Sequence, residues 1–309
     1  MANYLVTGAA GFIGAALTKR LLADGHKVVT IDNLSTGFIE NIPEGTVFIE
    51  GDCADPDIYS KIPQGNFDAI FHIAGQSSGE ISFDDPIYDI RTNTESTILL
   101  LKFALRNGCT RFIYAGTMSV YGDKPDRLIN EDEECKPQSF YGVGKLASEH
   151  YMKIYEQYGV NSTSLRLFNV YGPGQNLSNM RQGMVSIFMA QMLEKSSILV
   201  KGSGERYRDF VFIDDVVGFF IKSVTEKKSF NKAINIGTGI KSTINELLSL
   251  LSDLHDKDVE VLYKGNTSGD IHGIRASTSE LNRIYGEAQL IKLQVGLEKM
   301  YRWARDTLK

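Results

Sequence analysis

The feature that most constrains the fold is a glycine-rich turn between a short apolar run and an amphipathic segment. Tyr4–Thr7 is the apolar run, Gly8, Gly11 and Gly14 follow at regular spacing, and Phe12–Ala23 has a helical pattern. Glycines in such a turn let the backbone approach a pyrophosphate, and the helix N-terminus offers free N–H groups and positive potential. The turn therefore predicts a strand, a dinucleotide-phosphate site and a helix in succession.

Asp32 bears on whether this segment is a cofactor site or merely a tight turn. It ends the second predicted strand, about 20 residues after the glycines, where an acidic side chain can hydrogen-bond an adenosine ribose. A carboxylate at that point would repel a 2′-phosphate, so the sequence favours NAD over NADP. Asp52 follows the third predicted strand and is either an adenine contact or a solvated turn residue.

Apolar runs and helical patterns alternate through the first half of the chain. Short apolar runs typical of buried parallel strands are Tyr4–Thr7, Lys27–Ile31, Val47–Glu50, Ala69–His72, Arg111–Ala115 and Ser162–Phe168. Helical patterns between them are Phe12–Ala23, Thr92–Arg106 and Phe140–Tyr158. Because strands alternate with helices, we expect an α/β fold with a Rossmann-type, doubly wound parallel sheet.

The second half has a less regular pattern, which we interpret as a smaller, mostly C-terminal α/β domain that binds a substrate. Its expected strands are Ile198–Lys201, Phe210–Ile213 and Ala233–Ile236. Its expected helices are Met184–Glu194, Asp214–Thr225, Thr243–Leu254, Thr278–Tyr285 and Leu290–Leu308. We place the nucleotide-binding domain at 1–170 and the substrate domain at 171–309, with parts of 210–240 returning to the first domain.

Composition excludes several classes of protein. The formal net charge is −5 and no long basic run is present, so we expect no nucleic-acid partner. The apolar stretches are too short to span a membrane, and the first residues lead directly into a strand, without a signal peptide. Cys53, Cys109 and Cys135 are widely spaced and lack a zinc-binding pattern. We therefore expect a cytoplasmic protein without a metal site.

Tyr141 and Lys145 are four residues apart near the start of a predicted helix, so they share one face. Free tyrosine has a pKa of about 10, and a base that works near neutral pH needs it lowered by about three units. An adjacent ammonium group and the positive nicotinamide ring of NAD⁺ both favour the phenolate. The pair alone is common, but after a dinucleotide turn it predicts a catalytic Tyr–Lys pair.

The ordered motifs together resemble the extended short-chain dehydrogenases/reductases, specifically the nucleotide-sugar epimerase/dehydratase branch. The resemblance covers essentially the whole chain. The motifs that carry it are Gly8–Gly14, Asp32–Gly37, Gly51–Asp52, His72–Gln76, Thr117–Gly122, Tyr141–Lys145, Arg166–Pro173 and Arg208–Phe210.

The resemblance implies a set of site residues. Besides the glycines of the turn, it implies that NAD is lined by Phe12, Ile13, Asp32, Asn33, Ser35, Thr36, Gly37, Asp52, Cys53, Ile73, Ala74, Gly75, Gln76, Asn93, Tyr141, Lys145 and Phe168. It implies that Thr117, Tyr141 and Lys145 form the catalytic trio. It implies a substrate site that contains Thr117, Asn169, Met184, Val185, Val200, Arg208 and Asp270, with Asn169 and Arg208 on the diphosphate. Without the surrounding motif, Arg208 would be interpreted as a surface ion pair with Asp209.

The residues after Thr117 discriminate among the reactions of this family. Members that dehydrate or decarboxylate resemble T-D-E or T-S-E at this point, whereas this chain has Met118 and Ser119. Neither residue is a good proton-transfer group, so the sequence favours epimerisation at C4 of a nucleoside-diphosphate sugar, with UDP expected from family frequency. The alternatives are a 4-keto nucleotide-sugar reductase, a 4,6-dehydratase and a non-catalytic NAD-binding regulator.

Some positions depart from the family pattern. Thr267 stands where many epimerases have a phosphate-binding arginine, and Arg275 or Lys264 is a candidate replacement. Ile274 falls near the position that limits the size of the sugar, so the choice between hexose and N-acetylhexosamine stays open. Because helices near Thr92–Arg106 and Phe140–Tyr158 commonly pair across a dimer in the family, we expect a homodimer.

Overall fold

Seven parallel strands form the central sheet of the computed structural model, which describes residues 1–265 and 271–308. The strands of the chain, in order, are β1 (Asn3–Thr7), β2 (Lys27–Asp32), β3 (Val47–Glu50), β4 (Ala69–His72), β5 (Arg111–Thr117), β6 (Leu128–Ile129), β7 (Asn161–Leu167), β8 (Asn169–Tyr171), β9 (Ser197–Val200), β10 (Tyr207–Arg208), β11 (Phe210–Phe212), β12 (Lys232–Ile236), β13 (Ser242–Thr243), β14 (Glu260–Tyr263) and β15 (Arg275–Ala276). In the central sheet the order is β12-β7-β5-β4-β1-β2-β3.

Helices cover both faces of this sheet. In chain order they are α1 (Phe12–Ala23), α2 (Gly79–Ser82), α3 (Pro86–Ile90), α4 (Ser96–Arg106), α5 (Phe140–Tyr155), α6 (Met184–Lys195), α7 (Ile213–Thr225), α8 (Ile244–Ser252), α9 (Ser279–Tyr285) and α10 (Leu293–Thr307). Helices α1 and α7 pack together on one face, and α4 and α5 on the other. The predicted Rossmann-type, doubly wound fold is confirmed.

The strands are buried because side chains from both of their faces enter an apolar core. On β4, Phe71 belongs to the core under α1 and α7, while its neighbour Ile70 belongs to the core under α4. All seven residues of β5 are buried. Strands buried on both faces have continuous apolar runs without polar alternation, which is why these segments were recognisable in the sequence.

Most residues after β7 form strands and helices outside the central sheet. They pack against the apolar core under α1 and α7, which is the larger core of the protein. Strand β8 pairs with β11, and β9 pairs with β14, outside the central sheet. Strand β12 returns to the edge of that sheet beside β7. Helices α6, α8 and α10 contribute apolar side chains to the same core as α1 and α7. Helices α6, α8 and α10 therefore share one continuous apolar core with α1 and α7.

The helix predicted at Thr92–Arg106 differs from the structure at its start. Arg91–Glu95 is a turn of π-helix, and α4 begins only at Ser96. The carbonyl oxygen of Asn93 accepts hydrogen bonds from the hydroxyls of Thr97 (2.8 Å) and Ser148 (2.7 Å). Such side-chain bonding favours a wider turn, and π turns occur frequently at functional sites.

Residues 1–265 and 271–308 contain neither a membrane-spanning helix nor a cluster of metal-binding side chains. No helix there is long and apolar enough to cross a bilayer. In the same ranges, no group of three or more His, Cys, Asp or Glu side chains could hold a metal ion.

Candidate active site

The glycine turn connects the end of β1 to α1, and at two of its glycines the backbone leaves no space for a Cβ atom. Gly8 has φ of +74°, and a Cβ atom there would lie 2.7 Å from the backbone nitrogen of Ala74. A Cβ atom on Gly14 would overlap the carbonyl oxygen of Gly8. Helix α1 begins after Gly11 with no capping side chain and no acidic residue in its first turn. Its N-terminus is therefore open to an anionic group such as a pyrophosphate.

Asp32 fixes the backbone on the opposite side of this turn. Its carboxylate accepts hydrogen bonds from the amides of Ala10 (2.9 Å) and Leu34 (2.8 Å), and the residue is buried. The second bond holds Leu34 at φ of +55°, a conformation that side chains rarely adopt. Asp32 thus has a structural role in addition to the predicted one, since a carboxylate retains lone pairs for a ribose.

One cavity of about 870 Å³ brings most of the predicted residues together. The predicted cofactor residues that line it are Gly8, Gly11, Phe12, Ile13, Gly14, Asp32, Asn33, Ser35, Thr36, Gly37, Asp52, Cys53, Ile73, Ala74, Gly75, Gln76, Tyr141, Lys145 and Phe168. The predicted substrate residues that line it are Thr117, Asn169, Met184 and Val185. The cavity follows the carboxyl ends of the parallel strands, where ligands bind in open α/β sheets.

The three catalytic candidates reach the cavity from β5 and α5. Thr117 is the last residue of β5, and Tyr141 and Lys145 lie in the first turns of α5. The hydroxyl of Ser139 caps this helix by accepting the amide of Gly142 (3.1 Å). A Cβ atom on Gly142 would lie 2.7 Å from the carbonyl oxygen of Ser119, so glycine allows α5 to pack closely against the segment after β5.

The electrostatics of the pair differ from the sequence-based expectation. Burial raises the pKa of Tyr141 to about 12, although a hydrogen bond with Thr117 opposes the rise. Burial lowers the pKa of Lys145 to about 8, while the carboxylates of Asp89 and Glu149 oppose that change. The Lys145 ammonium lies 5.9 Å from the centre of the Tyr141 ring and donates to the carbonyl oxygen of Ala115 (3.1 Å). Burial therefore favours the neutral phenol of Tyr141, contrary to the predicted lowering of its pKa.

Asn93 lies behind the cavity wall and does not line it. It is fully buried, and its amide donates to the carbonyl oxygen of Gln76 (3.0 Å) and to the carboxylate of Asp89 (3.2 Å). Its side-chain oxygen is buried without a hydrogen-bond partner. Asn93 thus positions the loop after β4, and its predicted direct contact with NAD stays a prediction.

Comparison with known proteins identifies the family. The model of the NAD dependent epimerase/dehydratase family matches residues 4–237. The chain belongs to this family. Its UDP-glucose 4-epimerase relative from Mycolicibacterium smegmatis is 32% identical, and the match covers 98% of each chain.

Solved structures of the family are similar to this chain in fold as well as in sequence. A UDP-glucose 4-epimerase from Thermotoga maritima, solved with UDP-glucose, has a TM-score of 0.95 at 33% identity and covers 99% of this chain and 100% of its own. A UDP-N-acetylglucosamine 4-epimerase from Methanobrevibacter ruminantium, solved with UDP-N-acetylmuramic acid, has a TM-score of 0.92 at 30% identity, with 99% of both chains covered. Membership of this family confirms the predicted family resemblance and the predicted use of NAD.

Two other predicted substrate residues of this epimerase/dehydratase chain, Val200 and Arg208, are not among those that line the cavity. Val200 is buried in the larger core on β9. Arg208 is buried, and its guanidinium donates to the carbonyl oxygens of Tyr207 (2.7 Å) and His272 (3.3 Å). Asp270 and Thr267 fall outside the described residues. The substrate contacts of these residues stay predictions.

Asp209, the partner considered for a surface ion pair with Arg208, is bonded to backbone amides. The Asp209 carboxylate accepts the backbone amides of Thr238 (2.7 Å), Gly239 (2.8 Å) and Ala276 (3.0 Å), so it anchors the loop after β12 and the end of β15. Asp209 is fully buried and is not the surface group that the alternative required.

The candidate replacements for the missing arginine do not line the cavity either. The Arg275 side chain lies 3.6 Å from the Asp126 carboxylate, and Lys264 is exposed. Ile274 is buried against Val120 and Phe168. Neither Arg275 nor Lys264 therefore supplies a replacement cation among the residues that line the cavity.

A loop of amide side chains lines the cavity and was missed by the sequence argument. The residues concerned are Gln175, Asn176, Ser178, Asn179 and Gln182, and the C-terminal helix adds Trp303 and Thr307. Their signal in the sequence is an Asn/Gln-rich stretch after a Gly-Pro-Gly turn, which is typical of any polar loop. Nothing in that composition indicates which wall of a cavity the loop will form.

The same loop is bound to the segment that contains α2, and residues of both segments line the cavity. Arg181 forms an ion pair with Asp84 (2.7 Å), and the side chain of Gln182 donates to the hydroxyl of Ser77 (2.5 Å). The Ser78 hydroxyl donates to the carbonyl oxygen of Arg181 (3.3 Å). We call these contacts the latch, since they join the loop after β8 to the segment around α2.

Proposed function

We propose that the protein catalyses NAD-dependent epimerisation at C4 of a UDP-sugar through a transient 4-keto intermediate. The observation that carries this proposal is the single cavity that joins the glycine turn to Thr117, Tyr141 and Lys145. Relatives with chains of similar length and fold are UDP-glucose and UDP-N-acetylglucosamine 4-epimerases, which supports the same chemistry here.

Each member of the trio has a distinct task in the proposed reaction. Tyr141 takes the proton of the sugar 4-hydroxyl and later returns it to the keto oxygen, acting as base and then as acid. Thr117 lines the same cavity as Tyr141, and its hydroxyl would orient the sugar hydroxyl that reacts. Lys145, held by the carbonyl of Ala115, places a positive charge beside the phenol.

NAD, when bound, would accept hydride from C4, return it to the opposite face and supply positive charge that favours the phenolate. The residues present fit this group, because the backbone leaves no space for a Cβ atom at Gly8 or Gly14 and Asp32 stands at the end of β2. Because burial raises the pKa of Tyr141, a positively charged group bound beside the phenol would favour its ionised form.

The acidic groups of the cavity argue against dehydration and decarboxylation. Among the residues described, the carboxylates that line it are Asp32 and Asp52, and both lie on the side of the glycine turn. Met118 and Ser119 occupy the positions beside Thr117 and also line the cavity. Among the described residues that line the cavity, no carboxylate thus lies next to Tyr141 to remove water or to assist the loss of CO₂.

The intermediate must present its second face to the cofactor before it is reduced. We infer that the diphosphate is the fixed end of the substrate and that Asn169 contributes to holding it, because Asn169 lines the cavity and its side-chain NH₂ group can donate to phosphate oxygens. Anchoring at the phosphates leaves the sugar free to turn. Arg208 is our second candidate for this anchor.

Incubation of the purified protein with UDP-galactose or UDP-N-acetylgalactosamine, without added cofactor, tests the proposal. We expect the C4 epimer to form, because NAD is regenerated in every cycle and stays bound. Detection of the products by chromatography also answers which sugar is accepted. Conversion that requires stoichiometric NADPH and a 4-keto sugar would instead establish the reductase, which the Asp32 carboxylate argues against.

Two further properties belong to this proposal. We propose a homodimer formed by α4 and α5, since exposed apolar side chains on α5 include Phe140, Val143 and Ile154. Light scattering of Val143→Glu against the unaltered protein tests it, and a monomeric mass is expected for the variant. We also propose the cytoplasm as its compartment, since the three cysteines are free thiols.

A further inference from the structure

A buried carboxylate outside the catalytic trio lies directly behind it. Asp89 is on α3, is almost completely buried and belongs to none of the motifs that define the site. One carboxylate oxygen accepts the side-chain amides of Gln76 (2.8 Å) and Asn93 (3.2 Å). The other oxygen is buried without a hydrogen-bond partner. A buried carboxylate that is incompletely paired is costly, so its retention needs an explanation.

The contacts of Asp89 lead to the cofactor wall and to Lys145. Gln76 lines the cavity, and Asn93 donates to the carbonyl oxygen of Gln76. A Cβ atom on Gly144 would lie 3.5 Å from the unpartnered oxygen of Asp89, which places this oxygen against the helix turn that carries Lys145. A Cβ atom on Gly75 would lie 3.3 Å from the Lys145 nitrogen, so the same loop backs the ammonium group.

The charges around Lys145 come from four elements. The ionisable groups that face it are Asp89 of α3, Tyr141 and Glu149 of α5, His72 of β4 and Tyr114 of β5, whose ring centre lies 4.6 Å from the Lys145 nitrogen. Burial lowers the pKa of His72 well below its usual value, and burial raises that of Tyr114, so both are neutral. The remaining anions are Asp89 and Glu149.

Glu149 differs from Asp89 in its partner. The Glu149 carboxylate accepts hydrogen bonds from the guanidinium of Arg166 (2.7 Å) and from the hydroxyl of Ser164 (2.7 Å). Because Arg166 is a full positive charge, it largely compensates the charge of Glu149. The bonded partners of Asp89 are neutral amides, which leaves its negative charge to act on Lys145.

We propose that Asp89 is a positioning residue of this site, whose carboxylate holds Gln76 and Asn93 in place and keeps Lys145 in its ammonium form. Burial raises the pKa of Asp89, but the two amide donors and Lys145 oppose the rise and favour the ionised form. The role rests on the proposed function, since it concerns the same Tyr141 and Lys145. It explains how a lysine buried to this extent keeps the charge that its task requires.

The test is Asp89→Asn, which removes the charge and keeps the shape and the acceptor for Gln76. In protein labelled with ¹³Cε-lysine, assigned with Lys145→Met, we expect Lys145 to titrate near pH 8 and about one pH unit lower in Asp89→Asn. The matched control is Glu95→Gln, which removes an exposed carboxylate paired with Arg91 and should leave the midpoint unchanged. An unchanged midpoint in Asp89→Asn would overturn the proposal.

The pH profile of turnover gives a second readout that a purely structural role would not move. Loss of the Asp89 charge lowers the pKa of Lys145, and it also lowers that of Tyr141, which Asp89 raises. Both limbs of the profile should therefore move to lower pH. If the unaltered protein converts no UDP-sugar while the lysine midpoint still shifts, the proposed function fails and the role of Asp89 stands.

A measurement on the unaltered protein covers the case in which Asp89→Asn does not fold. In ¹³Cγ-aspartate spectra, assigned through the backbone, we expect Asp89 to be ionised at pH 7. A protonated Asp89 at that pH would overturn the proposal, because a neutral acid cannot stabilise the ammonium group of Lys145.

Discussion

The two walls of the cavity are built in different ways. On the wall that we assign to the cofactor, Gly8 and Gly14 lie against backbone atoms that leave no space for a Cβ atom, and Asp32 accepts the amide of Ala10. On the substrate side, amide side chains of the loop after β8 and residues of α10 form the surface. Where backbone atoms pack closely, only glycine fits at certain positions, so the sequence shows a fixed pattern. Where loop side chains form the wall, many different residues can occupy each position.

The two walls meet at Tyr141, where we expect the largest effect of a single substitution. Tyr141→Phe removes the proton-transfer group, so turnover should fall by about 10³-fold. NAD should stay bound, because the glycine turn is untouched. The measurement is epimerisation rate together with NAD content after denaturation. Tyr151→Phe, an exposed tyrosine on the same helix, is the control. Full activity of Tyr141→Phe would contradict the assignment of the base.

Gly14→Ala tests whether the cofactor wall depends on backbone shape. The added Cβ atom would overlap the carbonyl oxygen of Gly8, so the turn must open. We expect the affinity for NAD to fall by about 100-fold, which is a change of about 3 kcal/mol. Gly218→Ala is the matched control, since a Cβ atom there meets nothing within 4 Å and α7 should gain stability. Calorimetric titration with NAD compares the two variants.

The difference between the walls also explains what the sequence could predict. The glycine spacing, Asp32 and the Tyr141–Lys145 pair each follow from geometry within a few residues, and the central strands follow from continuous apolar runs. Contacts such as that of Asp89 with Gln76, or of Arg181 with Asp84, join segments that only the fold brings together. No local pattern contains them.

The raised pKa of Tyr141 shows the same limit in energetic terms. The sequence placed a cation four residues from the phenol and predicted a lower pKa. It could not show that the phenol is buried, and burial is the larger influence in the structure. The direction of the pKa shift of Tyr141 therefore depended on its burial, which only the tertiary structure determines.

Asn169→Asp tests the substrate wall with a smaller expected effect. The substitution keeps the shape and adds a negative charge in the cavity, which would repel a diphosphate. We expect KM for the UDP-sugar to rise by about tenfold, with NAD content unchanged. Asn66→Asp, on the exposed loop before β4, controls for the change in net charge. A rise in KM with Asn66→Asp as well would mean that the global field is responsible.

The latch should show the smallest effect, because its charges are exposed. The Arg181 and Asp84 side chains are 44% and 58% exposed, and such pairs contribute about 0.2–1 kcal/mol. Arg181→Ala should therefore speed release of the UDP-sugar by less than about fivefold in stopped-flow measurements. At about 1 M salt, where screening extends over about 3 Å, the unaltered protein should approach the rate of the variant. If the variant and the unaltered protein respond equally to salt, the ion pair does not hold the two walls together, and the hydrogen bond of Gln182 to Ser77 becomes the contact to remove next.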